Sequence, residues 1–130
     1  MHNKVLVIYT GGTIGMVQDA NGSLQPFALD RIMDAVPQLK YCNYQIDSCQ
    51  IEHIIDSSNM TPSLWVDIAE IVEREYDKYD GFVVLHGTDT MAYTASALSF
   101  MFDNLAKPVV LTGCQLPLAM LRSDGRENII

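Results

Sequence analysis

The fold of this chain is decided near its start, where the sequence reads Val5-Leu6-Val7-Ile8-Tyr9-Thr10-Gly11-Gly12-Thr13. The first part of this stretch is a continuous apolar run with β-branched side chains, which is typical of a strand buried on both faces. Glycines and threonines follow at once. Because ligands of open parallel sheets bind beyond the carboxyl ends of the strands, the stretch predicts both a buried strand and a polar turn that could meet a ligand.

Strand and helix patterns alternate along the rest of the chain. Strands separated by helices imply a parallel sheet, so we predict an α/β fold with a mainly parallel sheet and helices on both faces. The tight-turn signal Asn21-Gly22 adds a hairpin or a mobile loop at residues 14–26. Further strands are predicted at residues 46–55, 82–86 and 109–112, and helices at residues 29–36, 62–76 and 91–102.

Polar residues mark where two of these helices are expected to begin. Thr61 offers a hydroxyl cap and is followed by Pro62, which suits the first turn of a helix. Thr88 or Asp89 can cap the next helix along the chain. We therefore expect these side chains to accept hydrogen bonds from the first helical turns.

The end of the sequence carries a third cap signal. Ser123-Asp124 predicts a cap and Arg126 begins a helical turn, but the sequence stops at Ile129-Ile130. Two large aliphatic residues where a helix begins differ from the polar, frayed termini of most domains. The pattern therefore predicts that residues 1–130 are one truncated α/β domain.

Composition limits the classes of partner. The chain has 130 residues, of which 48% are hydrophobic and 18% charged, and this balance is globular. Its net charge of −8 argues against nucleic acid and anionic membrane surfaces as partners. The apolar run at residues 5–8 is too short for a signal core or a membrane span. Cys42, Cys49 and Cys114 have no metal-type spacing, so we expect ordinary buried thiols in a reducing compartment, the cytoplasm.

Polar and small residues follow every predicted strand. Because the carboxyl ends of parallel strands meet at one edge, these residues should form one floor. Hydroxyls and amides can take a carboxylate there, and a carboxylate can take an ammonium, so the floor suits a small zwitterion. Taken singly, each group is more often a turn or cap. The runs are Thr10-Gly11-Gly12-Thr13, Asp56-Ser57-Ser58-Asn59, Gly87-Thr88-Asp89-Thr90 and Gly113-Cys114-Gln115.

Other functions are also compatible with these residues. A non-catalytic module that binds an amino acid would carry the same floor. A dinucleotide-binding domain also has a glycine-rich first turn, but its Gly-x-Gly-x-x-Gly spacing is not present here. His86 could serve as a general base, although a buried, hydrogen-bonded role fits it better. His2 and His53 have no partner spacing, so no metal is expected.

Two long runs resemble the signatures of the asparaginase family. They are Tyr9-Thr10-Gly11-Gly12-Thr13-Ile14-Gly15 and residues 81–91, which end in His86-Gly87-Thr88-Asp89-Thr90-Met91. Residues 92–101, Asp56-Ser57-Ser58 and Leu121-Arg122-Ser123-Asp124-Gly125 further resemble the cytoplasmic, type I branch. The resemblance extends over essentially the whole chain but reaches only the amino-terminal part of a family member. It implies a partial amino-terminal domain at residues 1–130, without the carboxy-terminal domain.

The resemblance implies hydrolysis of L-asparagine to L-aspartate and ammonia. Thr13 matches the nucleophile that forms an acyl-enzyme, and Thr88 matches a second catalytic threonine. Asp89 matches the residue that holds the substrate ammonium. Ser57 and Ser58 match the pair that binds its carboxylate. Asp56 is a further candidate for substrate binding.

The same resemblance implies no cofactor and no metal, and a homo-oligomer for the full-length protein. Family members commonly activate the first threonine with a loop tyrosine, but this chain has Gly22-Ser23-Leu24 at that place. The lysine that partners the second threonine lies downstream of Ile130 in the family. We therefore expect the isolated chain to be weak or inactive as a catalyst.

Overall fold

Our computed structural model describes residues 3–18, 21, 24–26 and 32–130. The elements, in chain order, are β1 (Asn3–Gly11), β2 (Met16–Gln18), β3 (Leu24–Pro26), α1 (Ile32–Ala35), β4 (Tyr44–Ile55), α2 (Pro62–Glu75), β5 (Gly81–Leu85), α3 (Met91–Met101), β6 (Val109–Thr112) and α4 (Gly125–Ile129). Short 3-10 helices span Thr13–Gly15, Pro37–Tyr41, Ser57–Asn59 and Tyr76–Lys78.

The main sheet has four strands in the order β4-β1-β5-β6, and all its pairings are parallel. Val5 of β1 is in register with Ile46 on one side and Gly81 on the other. β2 and β3 form a separate antiparallel pair. The predicted parallel sheet is therefore confirmed, and so are the strands of the hairpin. The middle of the hairpin, at residues 19–20 and 22–23, lies outside the described residues.

Both faces of the sheet are covered because side chains of a strand alternate in direction. Leu6 and Ile8 of β1 face α2 and α3, whereas Val7 and Tyr9 face the Pro37–Tyr41 segment and the loop before α4. One core cluster contains Leu6, Ile8, Ile51, Leu64, Ile68, Ile71, Val72, Phe82, Val84 and Leu98. The other contains Val7, Tyr9, Ile14, Val36, Leu39, Leu85, Cys114 and Leu118.

The α2 helix forms from the predicted apolar stripe. Its buried side chains are Leu64, Ile68, Ile71 and Val72, each of which stabilises the fold by about 1.5–3 kcal/mol through removal of apolar surface from water. The predicted hydroxyl cap was wrong in detail. Thr61 occupies the N-cap position, but it makes no side-chain cap bond, and its hydroxyl lies 2.8 Å from the Ser63 hydroxyl instead.

The α3 helix corrects another prediction. Its N-cap is Thr90, not Thr88 or Asp89, and no side chain caps it. The Thr90 hydroxyl instead donates to the carbonyl of Ser57 at 2.7 Å, so it ties α3 to the end of β4. Tertiary contact has replaced the local cap. On the inner face of the helix, Thr94 and Leu98 are buried.

Three further predictions have mixed outcomes. The helix that Pro37 was expected to end is confirmed as Ile32–Ala35, while residues 27–31 lie outside the described residues. Asp124 is the N-cap of α4 without a cap bond from its side chain. Cys42, Cys49 and Cys114 are free thiols, as expected, but Cys114 is buried whereas Cys42 and Cys49 are half-buried. Among the described residues, no helix has the length and apolar character needed to cross a membrane.

Candidate functional site

The site lies at the carboxyl end of the two central strands. From β1 the chain passes to β4 on one side, and from β5 it passes to β6 on the other. This divergence opens a crevice between β1 and β5, where ligands of open α/β sheets bind. The hydroxyl of Thr10 donates to the carbonyl of Leu85 at 3.0 Å, just beyond the last paired residues of these strands. This hydrogen bond therefore holds the ends of β1 and β5 together where the two turns begin.

The turn after β1 has a backbone conformation that favours glycine. Gly11 and Gly12 have φ values of 133° and 85°, a region that side chains disfavour. A Cβ on Gly11 would overlap the carbonyl oxygen of Ile55, and a Cβ on Gly12 would lie 2.6 Å from the backbone of Gly87. Thr13 follows, half-buried, as the first residue of a three-residue 3-10 helix.

Tyr9 supports this turn from below. Its side chain is fully buried, and its hydroxyl donates to the carbonyl of Gly12 at 3.2 Å. A Cβ on Gly15 would overlap the Tyr9 ring, so the ring also fixes the end of the 3-10 helix. Burial raises the pKa of Tyr9 to about 12, with a smaller contribution from Cys114. The ring and hydroxyl of Tyr9 therefore act as a brace for the turn that carries Thr13.

The turn after β5 meets the first turn directly. Gly87 touches Gly12 through its backbone, and a Cβ on Gly87 would lie 2.5 Å from the Ser57 Oγ atom. Ser57 is buried, whereas Thr88 is half-buried and Asp89 is exposed. The structure thus brings together the strand ends that carry three of the predicted site residues, Thr13, Ser57 and Thr88.

Asp56 and Ser58 flank the buried Ser57 and are exposed. The Asp56 carboxylate caps the 3-10 helix Ser57–Asn59 by accepting a hydrogen bond from the Ser58 backbone N–H at 3.0 Å. Hydrogen bonds from Ser58 lower the pKa of Asp56, with the backbone N–H as the larger cause. This capping role accounts for Asp56 locally, so Ser57 and Ser58 fit substrate binding better than Asp56 does.

Residues after β6 complete the floor. The side-chain amide of Gln115 donates to the Thr88 hydroxyl at 3.0 Å. Asp124 holds this loop, because its carboxylate accepts hydrogen bonds from the backbone N–H groups of Gln115 and Leu116 at 3.0 and 3.1 Å. The same bonds, that from Gln115 first, lower the pKa of Asp124. The Ser123-Asp124-Gly125 run thus acts as a brace for the site.

Sequence reasoning had not singled out Tyr9 or Gln115. Tyr9 ends an apolar run and looked like an ordinary core residue. Gln115 did stand in a predicted strand-end turn, which was the available signal. The contact between Gln115 and Thr88 joins positions 27 residues apart, so only the folded chain reveals it.

His86 is buried and hydrogen-bonded, as expected. Its Nδ1 atom lies 2.6 Å from the carbonyl oxygen of Gly87, and its Nε2 atom lies 2.8 Å from the hydroxyl of Thr94. The indole N–H of Trp65 donates to that same hydroxyl at 3.0 Å. Burial lowers the pKa of His86, against a smaller opposing effect of the Gly87 carbonyl.

The lysines of the chain lie away from this edge. Each of them precedes a strand or starts one, and the strands are parallel, so they lie toward the opposite edge of the sheet. Lys40 and Lys78 also pair with carboxylates, and Lys107 donates to the Tyr76 carbonyl. No lysine of residues 1–130 is therefore placed to reach Thr88; they are Lys4, Lys40, Lys78 and Lys107.

The geometry of the glycine-rich turn can also be compared with that of a dinucleotide-binding site. That mode of binding needs a helix whose N-terminus meets the pyrophosphate at the glycines. Here the glycines lead into the three-residue 3-10 helix Thr13–Gly15 and then into β2. The local geometry is therefore not that of a dinucleotide site.

Comparison with known proteins identifies the family. A family model described as "Asparaginase, N-terminal" matches residues 4–130. The chain belongs to the asparaginase family. This membership confirms the predicted resemblance, and the matched region corresponds to the amino-terminal part of asparaginases.

Individual relatives agree with this assignment. L-asparaginase 1 of Escherichia coli (strain K12) is 50% identical over 131 residues, which cover 98% of this chain and 38% of the E. coli protein. The structure of L-asparaginase I from Vibrio cholerae O1 biovar eltor str. N16961 matches with a TM-score of 0.88 at 46% identity, covering 99% of this chain and 39% of that one. This likeness confirms the predicted α/β fold of an asparaginase amino-terminal domain.

A relative with another name also matches. A Mus musculus protein named "60 kDa lysophospholipase" is 43% identical over 152 residues, which cover 98% of this chain and 26% of the mouse protein. The chain spans less than two-fifths of the length of each of these relatives.

Proposed function

We propose that the protein containing this chain hydrolyses L-asparagine to L-aspartate and ammonia, with Thr13 as the nucleophile. The observation that carries the proposal is the backbone contact between Gly12 and Gly87. It joins the turns of Thr13 and Thr88 in the crevice between β1 and β5. Membership of the asparaginase family supports the choice of reaction.

In the proposed reaction, the Thr13 hydroxyl attacks the side-chain amide carbon of asparagine. Its proton passes to the leaving nitrogen, ammonia departs, and an ester joins Thr13 to the aspartyl group. Water then hydrolyses this ester and releases aspartate. The oxyanion that develops in each step needs hydrogen-bond donors, and backbone N–H groups of the two glycine-containing turns are the available ones.

The polar residues around the crevice divide between the two ends of the substrate. We assign the ammonium group to Asp89, whose carboxylate is exposed at the turn after β5. The substrate carboxylate goes to the hydroxyls of Ser57 and Ser58. Thr88 is the second catalytic threonine, and the amide of Gln115 orients its hydroxyl.

Thr88 still needs a partner that moves protons. The family resemblance implies a lysine, but the lysines of this chain lie toward the other edge of the sheet. We propose that this partner comes from outside residues 1–130, in agreement with the greater length of the relatives. The same argument predicts little turnover by residues 1–130 alone.

We also propose where the protein works and how it assembles. Residues 1–130 would form one partial α/β domain of a cytoplasmic homo-oligomer that acts on a small amide without a cofactor. The free cysteines support a reducing compartment, and the net charge of −8 opposes nucleic-acid binding. Light scattering of the natural protein would test its assembly.

Ammonia release by the natural protein at its full expressed length tests the reaction. Thr13→Ala and Thr88→Ala should each lower kcat by a factor on the order of 10³ without unfolding the protein. Thr61→Ala is the matched control, because its exposed hydroxyl contacts only Ser63 and should leave kcat unchanged. Unaltered kinetics in Thr13→Ala would rule out the assigned nucleophile.

Parallel assays separate the substrate classes. L-glutamine measures the tolerance for a longer side chain, and release of fatty acid from a lysophospholipid tests the activity in the name of the mouse relative. Aspartate binding by calorimetry without any ammonia release would instead support a non-catalytic module.

A further inference from the structure

His86 stands at the centre of a hydrogen-bond chain that joins two helices to the turn carrying Thr88. The chain runs from Trp65 on α2 to Thr94 on α3, then to His86 and to the carbonyl of Gly87, through distances of 3.0, 2.8 and 2.6 Å. Thr94 and His86 are fully buried, so water does not compete for these bonds.

The direction of each bond follows from the groups at its two ends. An indole N–H can only donate, so the Thr94 oxygen accepts from Trp65 and its own hydrogen is free to point toward His86. Nε2 of His86 can accept that hydrogen, although the hydroxyl oxygen alone would allow either role. At the other end, a carbonyl can only accept, so Nδ1 must carry the proton that reaches Gly87. The Gly87 end therefore selects the neutral tautomer, and in that tautomer Nε2 accepts from Thr94.

Gly87 is packed closely between two neighbouring segments of the site. Gly12 approaches its backbone from β1, and Ser57 packs against its Cα from the end of β4. The carbonyl of Gly87 belongs to the same peptide plane as the N–H of Thr88. A hydrogen bond to that carbonyl therefore fixes the plane from which Thr88 departs.

We propose that His86 is a positioning residue, which uses the Trp65–Thr94 hydroxyl relay to hold the Gly87–Thr88 peptide plane and thereby sets the place of Thr88 in the site. This inference rests on the proposed amide hydrolysis, in which Thr88 takes part. His86 touches no reacting atom in this role, and it transfers no proton. Its burial favours the neutral ring that the chain requires.

The decisive variant is Thr94→Val in the natural protein at its full expressed length. Valine keeps the shape of threonine but removes the hydroxyl, so Nε2 of His86 loses its donor and the ring keeps its bond to the Gly87 carbonyl without an anchor on α3. We expect kcat for asparagine to fall about tenfold, the effect of losing one buried hydrogen bond. Thr94→Ser keeps the hydroxyl and should restore most of kcat.

Two further variants should have smaller effects on kcat than Thr94→Val. Trp65→Phe removes the first donor but leaves the Thr94 hydroxyl on His86, so kcat should fall only about twofold to threefold. Ser96→Ala is the matched control on the same helix, because its exposed hydroxyl donates to the Ala92 carbonyl and faces away from the relay. It should leave kcat unchanged.

Nitrogen NMR of the histidine rings gives a readout that does not depend on catalysis. The His86 signals, assigned by their loss in His86→Gln, should show a proton on Nδ1 and none on Nε2. In Thr94→Val we expect the proton to stay on Nδ1, because the Gly87 carbonyl still accepts it, and the Nε2 signal to shift, because that nitrogen has lost its donor. A protonated Nε2 in the wild-type protein would overturn the inference.

Activity assays distinguish a failure of the role assigned to His86 from a failure of the proposed asparagine hydrolysis. If the wild-type protein releases ammonia and Thr94→Val has the same kcat, even with a lower Tm, His86 is only structural and the inference fails alone. If the wild-type protein does not turn over asparagine, the proposed function fails, and the role of His86 in it fails as well.

Discussion

The two turns that form the crevice are held in different ways. The turn after β1, residues 10–15, owes its shape to glycine backbone and to close packing on the Tyr9 ring. The turn after β5, residues 86–90, is held by side-chain hydrogen bonds that reach it from α2, α3, the end of β4 and the loop after β6.

This difference predicts which kind of substitution should disrupt each turn. The first turn has no spare volume, so added atoms should disrupt it. The second turn depends on polar partners, so removing a hydroxyl or an amide should disrupt it while its packing remains.

Gly12→Ala should have the largest effect, because it adds one atom where the two turns touch. The new Cβ would lie 2.6 Å from the Gly87 backbone, and φ of 85° disfavours any side chain. We expect a loss of about 3 kcal/mol in the free energy of unfolding. Urea denaturation of the natural protein would measure it.

Gly81→Ala is the control for that substitution. Gly81 is also buried, but its Cβ would lie 3.2 Å from the Pro108 ring and 3.7 Å from the Pro108 carbonyl oxygen, and its backbone has no positive φ. The Gly81→Ala variant should therefore lose less than half as much free energy of unfolding as Gly12→Ala. Equal losses in the two variants would contradict a special constraint at Gly12.

Tyr9→Phe should have an intermediate effect, because it removes one hydrogen bond but keeps the ring on which Gly15 packs. We expect a loss of about 1 kcal/mol in the free energy of unfolding and a fall of a few-fold in kcat. Tyr79→Phe is a matched control, since its hydroxyl donates to Asp47 away from the crevice. A lower kcat in the control alone would refute the assignment of Tyr9 as the brace.

Acidification should have the smallest effect, and it should act on the second turn only. The pKa of His86 is lowered from 6.5 by burial, so the unfolded chain binds more protons once the pH falls below 6.5. Stability contributed by neutral His86 is therefore full above pH 6.5 and is lost as the pH falls toward the folded-state pKa.

Unfolding at about pH 7.5 and about pH 5.5 would measure this dependence in three proteins. Tyr9→Phe should lose as much stability as the wild type between these values, because the first turn has no group that titrates there. His86→Gln should lose less. Identical pH dependence in the wild type and His86→Gln would exclude His86 as its source.

Much of the fold could be predicted because it depends on local patterns. The apolar runs gave all four strands of the main sheet, and their alternation with helices gave its parallel arrangement. The caps expected at Thr61, Thr88 and Asp89 do not form. The Thr88 hydroxyl instead accepts from Gln115, 27 positions away, which is a partner that a local pattern cannot reveal, whereas the Thr61 hydroxyl pairs with Ser63, two residues along the chain.

The candidate site, like the fold, could be predicted only in part from local patterns. The strand-end pattern grouped Thr13, Ser57 and Thr88 with other polar residues, the family resemblance implied their roles, and their strand ends do meet. Sequence reasoning described His86 as buried and hydrogen-bonded, but it could not name Thr94 or Trp65 as its partners. Those contacts join residues on separate helices whose packing depends on the sheet between them.

By itself, the sequence determined which segments become buried strands and where the chain needs glycine, because burial periodicity and positive φ are local properties. It also carried the family signatures in which Thr13 and Thr88 stand. The tertiary structure decided which turns touch, because the strand order β4-β1-β5-β6 places β1 beside β5. Only that order brings the Thr10 hydroxyl to the Leu85 carbonyl, 75 positions away, and sets Gly12 against Gly87.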